Sequence, residues 1–103
     1  MQGHGLKLVS KNFRCRFGEI DLIMRDRLQL VFVEVRYRVA NHFADAVLSI
    51  GPGKQQKIIR TASMFIARNK RFASSVMRFD VVAIDKSNCG EPRIRWLRDA
   101  FRP

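Results

Sequence analysis

Cysteine, histidine and acidic residues are scarce in this sequence, and each shortage excludes a class of protein. The 103 residues include two cysteines and two histidines. Cys15 and Cys89 form no CxxC pair and do not reach the density of a disulfide scaffold, so we expect a reduced, cytoplasmic protein. His4 and His42 have no partner at a metal-ligand spacing, which disfavours a zinc site. Nothing at the N-terminus resembles the apolar core of a secretory signal.

Long apolar runs are also missing. The longest uncharged ones, such as Leu30 to Val33 and Val81 to Ile84, are far shorter than the roughly 20 residues that a membrane-spanning helix needs. The sequence therefore predicts a protein with no membrane partner. The length favours a single domain over residues 1–103, in which residues 1–10 are a flexible lead-in.

Charge is strongly unbalanced along the chain. Twenty Lys and Arg residues oppose nine Asp and Glu residues, which gives a formal net charge of +11 at pH 7 and a pI near 11.1. A field of this sign favours a polyanionic partner, and we expect nucleic acid, DNA in particular. Anionic lipid is the weaker alternative, because the charges are spread along the chain rather than gathered on an amphipathic membrane helix.

Alternation of apolar and polar residues predicts strands in the first part of the chain. Leu6 to Phe17 suggests a short edge strand and a turn. Glu19 to Asp26 alternates regularly, with every second residue from Ile20 to Met24 apolar. In Leu28 to Arg38, the odd-numbered residues from Val31 on are apolar, whereas the even-numbered residues are apolar at the start and charged from Glu34 on. Such a strand is buried on both faces until the cover of the sheet stops and a site begins.

The second part of the chain predicts a helix followed by further strands. Pro52-Gly53 suits a helix start, and Lys54 to Arg71 has apolar residues at spacings of three and four on one face, with basic residues opposite. Gln55 faces inward at the start of this helix. The strands Arg78 to Ile84 and Arg93 to Leu97 follow. We therefore expect an α/β fold with a mixed central sheet and a helix packed on it.

Acidic residues are concentrated on the predicted hairpin. In a register that matches like faces, Asp21 lies opposite Glu34 and Glu19 opposite Arg36, although registers shifted by two residues match like faces as well. Opposed carboxylates repel unless a cation lies between them, which suggests a Mg²⁺ or Mn²⁺ site. The alternative is a ladder of salt bridges, Glu19 with Arg36 and Asp21 with Arg38, and the pattern alone slightly favours it because exposed ion pairs are common.

Several segments carry a family resemblance. In chain order they are NFRCRFGEIDLIMRD, LVFVEVRYR, GKQQK, RFDVVAID and RIRWLRDAF, and the match runs from about Lys11 to the C-terminus. Together they resemble the YraN family of uncharacterised bacterial proteins. The resemblance implies the restriction-endonuclease-like fold of the PD-(D/E)xK superfamily, which includes Holliday-junction resolvases. It also implies an N-terminal helix with a further acidic residue, of which we expect residues 1–10 to be a remnant.

The resemblance assigns roles by position in the motif. It implies that Asp21 and Glu34 are metal-binding acids and that the carbonyl of Val35 is a further metal ligand. Arg36 occupies the place of the superfamily's lysine. Because a guanidinium stays protonated, Arg36 can stabilise charge but cannot act as a general base.

The leading hypothesis is a metal-dependent, nuclease-like protein that hydrolyses phosphodiester bonds in DNA, with branched DNA as one candidate substrate. Glu19 and Gln55 are expected to assist Asp21 and Glu34, although for Gln55 an ordinary contact at the helix start is an equal alternative. The residues expected to bind backbone phosphates are Arg38, Lys54, Lys57 and Arg60.

Alternative functions stay open at this point. A module of the same fold that binds nucleic acid without catalysis is consistent with the arginine in place of the lysine. A protein-interaction subunit whose charge attracts RNA or an acidic partner is a third hypothesis. The pattern also leaves homodimerisation open.

Overall fold

A computed structural model gives the fold, and it describes residues 6–38, 50–85 and 93–102, with the backbone alone at Arg38, Asp85 and Arg93. Five β-strands form one sheet in the order in which they follow along the chain. The expected α/β class, with a mixed sheet and a helix, is confirmed. The elements are β1 (Lys7–Cys15), β2 (Gly18–Asp26), β3 (Gln29–Arg38), α1 (Pro52–Arg68), a 3₁₀-helix (Lys70–Phe72), β4 (Val76–Asp85) and β5 (Arg93–Phe101).

The first three strands form an antiparallel meander. β1 begins at Lys7 and confirms the edge strand expected between Leu6 and Phe17. Residues 7–10 therefore belong to the sheet and not to a flexible lead-in, whereas residues 1–5 lie outside the described residues. β2 and β3 pair from Asp26 with Gln29 to Leu22 with Val33. This is the register that directs Asp21 towards Glu34.

Strands β3 and β4 run parallel along their whole length. Parallel neighbours need a crossover, and α1 lies within it. Its N-cap is Gly51 in an extended conformation with Pro52 next to it, as the sequence predicts. The helix ends at Arg68, earlier than the expected Arg71, because the Asn69 backbone leaves the helix and its side-chain amide donates to the Phe65 carbonyl at 2.9 Å. Within the described residues, no helix has both the length and the apolar character that a membrane crossing requires.

The main core lies between α1 and the sheet. The face predicted to be apolar is buried there, through Ile58, Ala62 and Phe65. Phenylalanine rings dominate this core. Phe32 stacks on Phe79 with 5.5 Å between ring centroids, and Phe79 stacks on Phe101 at 5.1 Å.

A second apolar cluster covers the other face of the sheet. It contains Val31, Val33 and Val82, with Met24 and the partly buried Leu22 from β2. Strand β3 is therefore apolar on both faces, as its sequence predicts.

The regular alternation expected for β2 is wrong at one point. Ile20 packs in the helix-side core, while Leu22 and Met24 pack on the opposite face and Ile23 returns to the helix side. Side chains two residues apart share a face in a regular strand, so β2 changes faces around Asp21. The pairing of β2 with β3 ends next to this point.

Both edge strands of the sheet contain a kink. Asn12 in β1 has φ 52° and Asp99 in β5 has φ 51°, in the left-handed region where Asn and Asp are tolerated. The pairing shifts register between Leu8 and Ser10 on β1 and between Phe79 and Val81 on β4. Neither edge is a flat ladder.

Candidate functional site

A cleft of about 510 Å³ opens between the N-terminal end of α1 and the hairpin of β2 and β3. We call it the acidic cleft. It lies where the two strands stop pairing and where β2 changes faces. The residues that line it are Gly18, Glu19, Asp21, Glu34, Gly53, Lys54, Lys57 and Ile58.

Gly18 allows the start of β2 to approach α1. Its φ of +152° is a conformation that other residues rarely adopt, and a Cβ added there would lie 3.3 Å from the Thr61 hydroxyl oxygen. A glycine is therefore needed for the wall of the acidic cleft to close against the helix.

Asp21 lies at the change of faces in β2. Its Oδ2 accepts a hydrogen bond from the Val35 N–H at 2.8 Å, and its side chain is half-buried. Within the part of the chain that is described, no Lys or Arg forms an ion pair with Asp21. The backbone thus fixes the orientation of this carboxylate and leaves lone pairs for another donor or a cation.

Glu34 is the buried acid of the cleft, with 9% of its surface exposed. Burial and the neighbouring Asp21 carboxylate raise the pKa of Glu34, and the nearby Lys54 ammonium opposes them only in part. The structure therefore brings together the two acids that the sequence pattern and the resemblance single out. Two carboxyl groups share one partly enclosed site.

Lys54 is the nearest cation to these acids among the described residues. Its Nζ lies 3.2 Å from Glu34 Oε2, while Arg36 Nη2 is 3.9 Å from the same oxygen. The sequence assigned Lys54 to phosphate binding, and the structure places this exposed lysine in the wall of the acidic cleft, where it also contacts Glu34. The signal that could have found it is its position in the first turn of a helix that follows β3.

Arg36 lies beside Glu34 without a close hydrogen bond to it. Its side chain is half-buried, and the buried Nε has no hydrogen-bond acceptor among the described residues. A buried donor that lacks an acceptor costs about 1–3 kcal/mol. Arg36 therefore brings a positive charge close to Glu34, but it is not among the residues that line the acidic cleft.

Glu19 does not pair with Arg36. Its Oε2 lies 2.9 Å from Arg14 Nε on the neighbouring strand β1, where Arg14 is its cross-strand partner. The ion pair expected between Glu19 and Arg36 is therefore wrong. The other expected pair, Asp21 with Arg38, depends on a side chain outside the described ones.

Gln55 makes a local contact at the helix start. Its Nε2 donates to the Ile50 carbonyl at 3.0 Å, and Gln55 is not among the residues that line the acidic cleft. This geometry favours the ordinary helix contact over the assisting role. Gln55 thereby ties the segment before α1 to its first turn.

The start of α1 is open to an anion. Gly51 provides no side-chain cap, the first turn has no acidic residue, and Gly53 lines the acidic cleft. The first N–H groups of a helix lack internal partners and carry partial positive charge. Together with Lys54 and Lys57, they favour a phosphate at this end of the cleft.

The remaining basic candidates lie along α1. Lys57 is exposed and lines the acidic cleft, and Arg60 is exposed further along the helix. Both are available to a phosphate backbone.

The donor set fits a magnesium-type ion that keeps water and substrate ligands. Within residues 6–38, 50–85 and 93–102, no group of three His, Cys, Asp or Glu side chains could hold a metal alone. Mg²⁺ is usually bound through one or two carboxylates, with waters and phosphate completing its shell. Asp21 and Glu34 suit that mode. Val35, expected to contribute its carbonyl, contacts the site through its N–H.

Comparison with known proteins decides the family. The family model described as "Uncharacterised protein family UPF0102" matches residues 1–84. The chain belongs to the UPF0102 family. This is the YraN family that its segments resemble, so that prediction is confirmed.

Curated relatives in the UPF0102 family cover nearly the whole chain. A UPF0102 protein of Nitrosococcus oceani is 50% identical over 102 residues, which are 99% of this chain and 82% of the relative. One from Alkalilimnicola ehrlichii is 48% identical over 101 residues, 98% of this chain and 76% of the relative. One from Pseudomonas fluorescens is 46% identical over 101 residues, 98% and 82% respectively. Their names state no activity.

Proposed function

We propose that this chain is a metal-dependent, nuclease-like protein that hydrolyses phosphodiester bonds in DNA. The observation that carries the proposal is the pairing of buried Glu34 with Asp21 in a cleft at a helix N-terminus. Lys54 supplies a cation to Glu34, but Asp21 has no ion-pair partner among the described residues, and its carboxylate is available to a metal ion. The mixed sheet, with the acids on adjacent strands and a crossover helix after them, is consistent with a restriction-endonuclease-like fold.

Asp21 and Glu34 would hold Mg²⁺ or Mn²⁺ together with waters and a phosphoryl oxygen. When bound, such an ion supplies charge that stabilises phosphoryl oxygens and makes water more acidic. Asp21 is already oriented for this role by the Val35 N–H. Glu34 reaches the same site from the neighbouring strand, and its burial keeps competing solvent away from one side.

The chain's own cations act on the phosphate. Lys54 Nζ is free to rotate from Glu34 towards a phosphoryl oxygen, since an ammonium has three donors. Arg36 provides a permanent charge beside Glu34, with its Nη2 3.9 Å from Oε2. Neither a guanidinium nor a charged ammonium removes a proton, so both stabilise negative charge rather than act as a base.

DNA is the substrate class that the surface supports. Lys57 and Arg60 continue from the acidic cleft along the exposed side of α1. Contacts of this kind hold the phosphate backbone and carry no base sequence. We therefore propose recognition of DNA by its backbone and shape, in the cytoplasm.

A binding module without catalysis is the second candidate. It is favoured by the distance of 3.2 Å between Lys54 and Glu34, because this ammonium already neutralises one of the two acids. In that case the same cleft would be held together by Lys54, and DNA would bind over it.

Metal titration and cleavage separate the two candidates. We expect Mn²⁺ to bind the full chain, Asp21→Asn and Glu34→Gln to abolish that binding, and Asp99→Asn, a change at an exposed acid on β5, to preserve it. Asp21→Asn and Glu34→Gln should also abolish the cleavage of linear, flapped and branched DNA, and Asp99→Asn should preserve it. Binding of Mn²⁺ without cleavage of any DNA supports the binding module. Binding of Mn²⁺ that is unaffected by both site variants contradicts the nuclease proposal.

A further inference from the structure

We infer that a second cleft, at the far end of α1, binds a backbone phosphate of the same DNA that occupies the acidic cleft. The inference rests on the proposed function, because it takes that DNA as its ligand. The second cleft has a volume of about 210 Å³, and we call it the arginine cleft. Its lining residues are Arg25, Arg27, Leu28, Arg71, Phe72, Ser74 and Ser75.

Main-chain hydrogen bonds hold the walls of the arginine cleft together. The Val76 N–H donates to the Leu28 carbonyl at 3.0 Å, which ties the turn between β2 and β3 to the start of β4. On the other wall, the Ser75 N–H donates to the Phe72 carbonyl at 2.9 Å. The cleft is therefore formed before any ligand arrives, and binding needs little ordering of the backbone.

Two of the guanidinium groups are positioned by local contacts. Arg25 Nε donates to the Arg27 carbonyl at 3.2 Å, which leaves both terminal nitrogens of Arg25 available. The Arg71 guanidinium lies 4.6 Å from the centre of the Phe72 ring. Arginines held in this way lose less side-chain entropy when they bind a phosphate.

No acid neutralises the arginine cleft within the described part of the chain. The ion pairs between described residues involve other basic side chains, and none includes Arg25, Arg27 or Arg71. By contrast Arg78 on β4 has two acidic partners, the buried Asp80 at 3.0 Å and Asp26 at 3.5 Å. Three exposed arginines without an acidic partner in one concave site favour an anionic ligand, and phosphate oxygens suit guanidinium donors.

The size and the hydroxyl groups of the arginine cleft agree with this ligand. Its volume is about seven times the roughly 30 Å³ that one water molecule occupies in the liquid. That is room for a phosphate group and a few waters. Ser74 and Ser75 line the cleft and add hydroxyl donors of the kind that contact DNA phosphates.

The two clefts lie at opposite ends of one helix, so their separation can be worked out. α1 has 17 residues and is therefore about 25 Å long at 1.5 Å per residue. Exposed Arg60 and Arg68 lie on the helix between the clefts. Since base pairs rise 3.4 Å along B-DNA, a straight duplex would have to span roughly 7 base pairs to reach both clefts.

Duplex length provides the test. We would measure the affinity of the full chain for fluorescent DNA duplexes of increasing length by anisotropy, without divalent metal and over a range of salt concentrations. We expect affinity to rise steeply once the duplex exceeds roughly 7 base pairs, because two contacts on one ligand reinforce each other. Arg71→Gln should remove this step, weaken binding to long duplexes roughly three- to tenfold and reduce the salt slope by about 0.9.

Arg98→Gln is the matched control, since Arg98 is an exposed arginine on β5 outside both clefts. It should leave the length step in place, and circular dichroism should show that both variants are folded. Equal effects of Arg71→Gln and Arg98→Gln, or affinity without a length step, overturn the inference. Inorganic phosphate is a second probe, and its binding is followed by the amide resonances of Ser74 and Ser75. If phosphate shifts these resonances but DNA affinity shows no length step, the arginine cleft binds free phosphate and the inference is again overturned.

Failure of this inference and failure of the nuclease proposal can be told apart. A length step that depends on Arg71, in a protein that never cleaves DNA, leaves the inference standing and removes catalysis. Cleavage that depends on Asp21, with the same affinity for long DNA in Arg71→Gln, removes the inference alone. Absence of any DNA binding removes both.

Discussion

Replacement of Asp80 by asparagine should destabilise the protein more than any change in the acidic cleft. Asp80 is fully buried on β4, and its carboxylate accepts four hydrogen bonds. Oδ1 accepts from Arg78 Nε at 3.0 Å and from the Asp99 N–H at 2.9 Å. Oδ2 accepts from Arg78 Nη2 at 3.0 Å and from Trp96 Nε1 at 2.7 Å.

The magnitude follows from this arrangement. Whichever oxygen of Asp80 becomes an amide, two donors will face an NH₂ group in place of an acceptor, and each unsatisfied donor costs about 1–3 kcal/mol. Removal of one partner of a buried ion pair typically costs about 3–5 kcal/mol. A domain of this size has a total stability of about 5–15 kcal/mol, so we expect Asp80→Asn to lose a large fraction of it. The melting temperature should fall by more than about 12 °C.

Thermal and urea unfolding would measure this loss. Trp96 is the single tryptophan of the chain, so its fluorescence reports on the Asp80 site directly, and circular dichroism reports on the whole fold. Asp99→Asn is the control, because it makes the same chemical change on an exposed side chain next to the Asp80 hydrogen bonds. Asparagine tolerates the φ of 51° at this position, so the melting temperature should change little. A loss of less than about 1 kcal/mol in Asp80→Asn would refute the reasoning.

Three further predictions follow from the core and the acidic cleft. Because burial and Asp21 raise the pKa of Glu34 above its usual 4.5, the metal-free protein should lose stability as the pH rises from 4.5 to the raised pKa. Urea titrations at several pH values should show this loss in the unmodified protein and not in Glu34→Gln. Equal pH slopes in the two proteins would contradict the prediction. Gly18→Ala should cost about 1–3 kcal/mol of stability because of the backbone conformation of Gly18. Gly53→Ala, with open space around the new methyl group, should not destabilise the protein. Similar urea midpoints for both variants would count against a strained wall of the acidic cleft. Phe65→Ala should cost about 3–5 kcal/mol, since the side chain is buried among other rings, and a loss below about 1 kcal/mol in the same assay would show that this ring is not part of the core.

The hairpin and its polar end were predictable because both depend on local alternation. Phe32 and Val33 face opposite sides of a sheet that is covered on both, so each must be apolar, whereas Glu34 marks the point where the helix-side cover ends. The same pattern excludes a register shifted by one residue, which would turn every side chain to the wrong face, but it does not choose among registers that differ by two residues. The helix start at Pro52 was also a local signal.

Choices between near-equivalent partners were not predictable from the sequence. Glu19 has basic residues on both neighbouring strands, and it pairs with Arg14 because the register of β1 and β2 next to their turn places these two residues opposite each other. Lys54 and Gln55 are consecutive on a helix, so a rotation of α1 about its axis decides which of them enters the cleft. That rotation is set by tertiary packing.

Asp80 shows a further limit of sequence reasoning. An acid between two apolar residues of a strand signals that it needs partners, but not which ones. Two of its donors come from β5, and the one at Asp99 depends on a left-handed residue next to the register shift between the last strands. Such long-range contacts form only when the whole sheet is assembled.

The kinks at Asn12 and Asp99 have a consequence for how copies of this protein meet. Each interrupts the row of main-chain donors and acceptors on an outer strand, so an incoming strand from another molecule could pair over only a few residues before the ladder broke. Fibril growth by strand addition is therefore disfavoured at both borders. Each copy carries a formal charge of +11, so the copies repel one another, and salt weakens this repulsion. The protein should therefore resist aggregation best at low ionic strength.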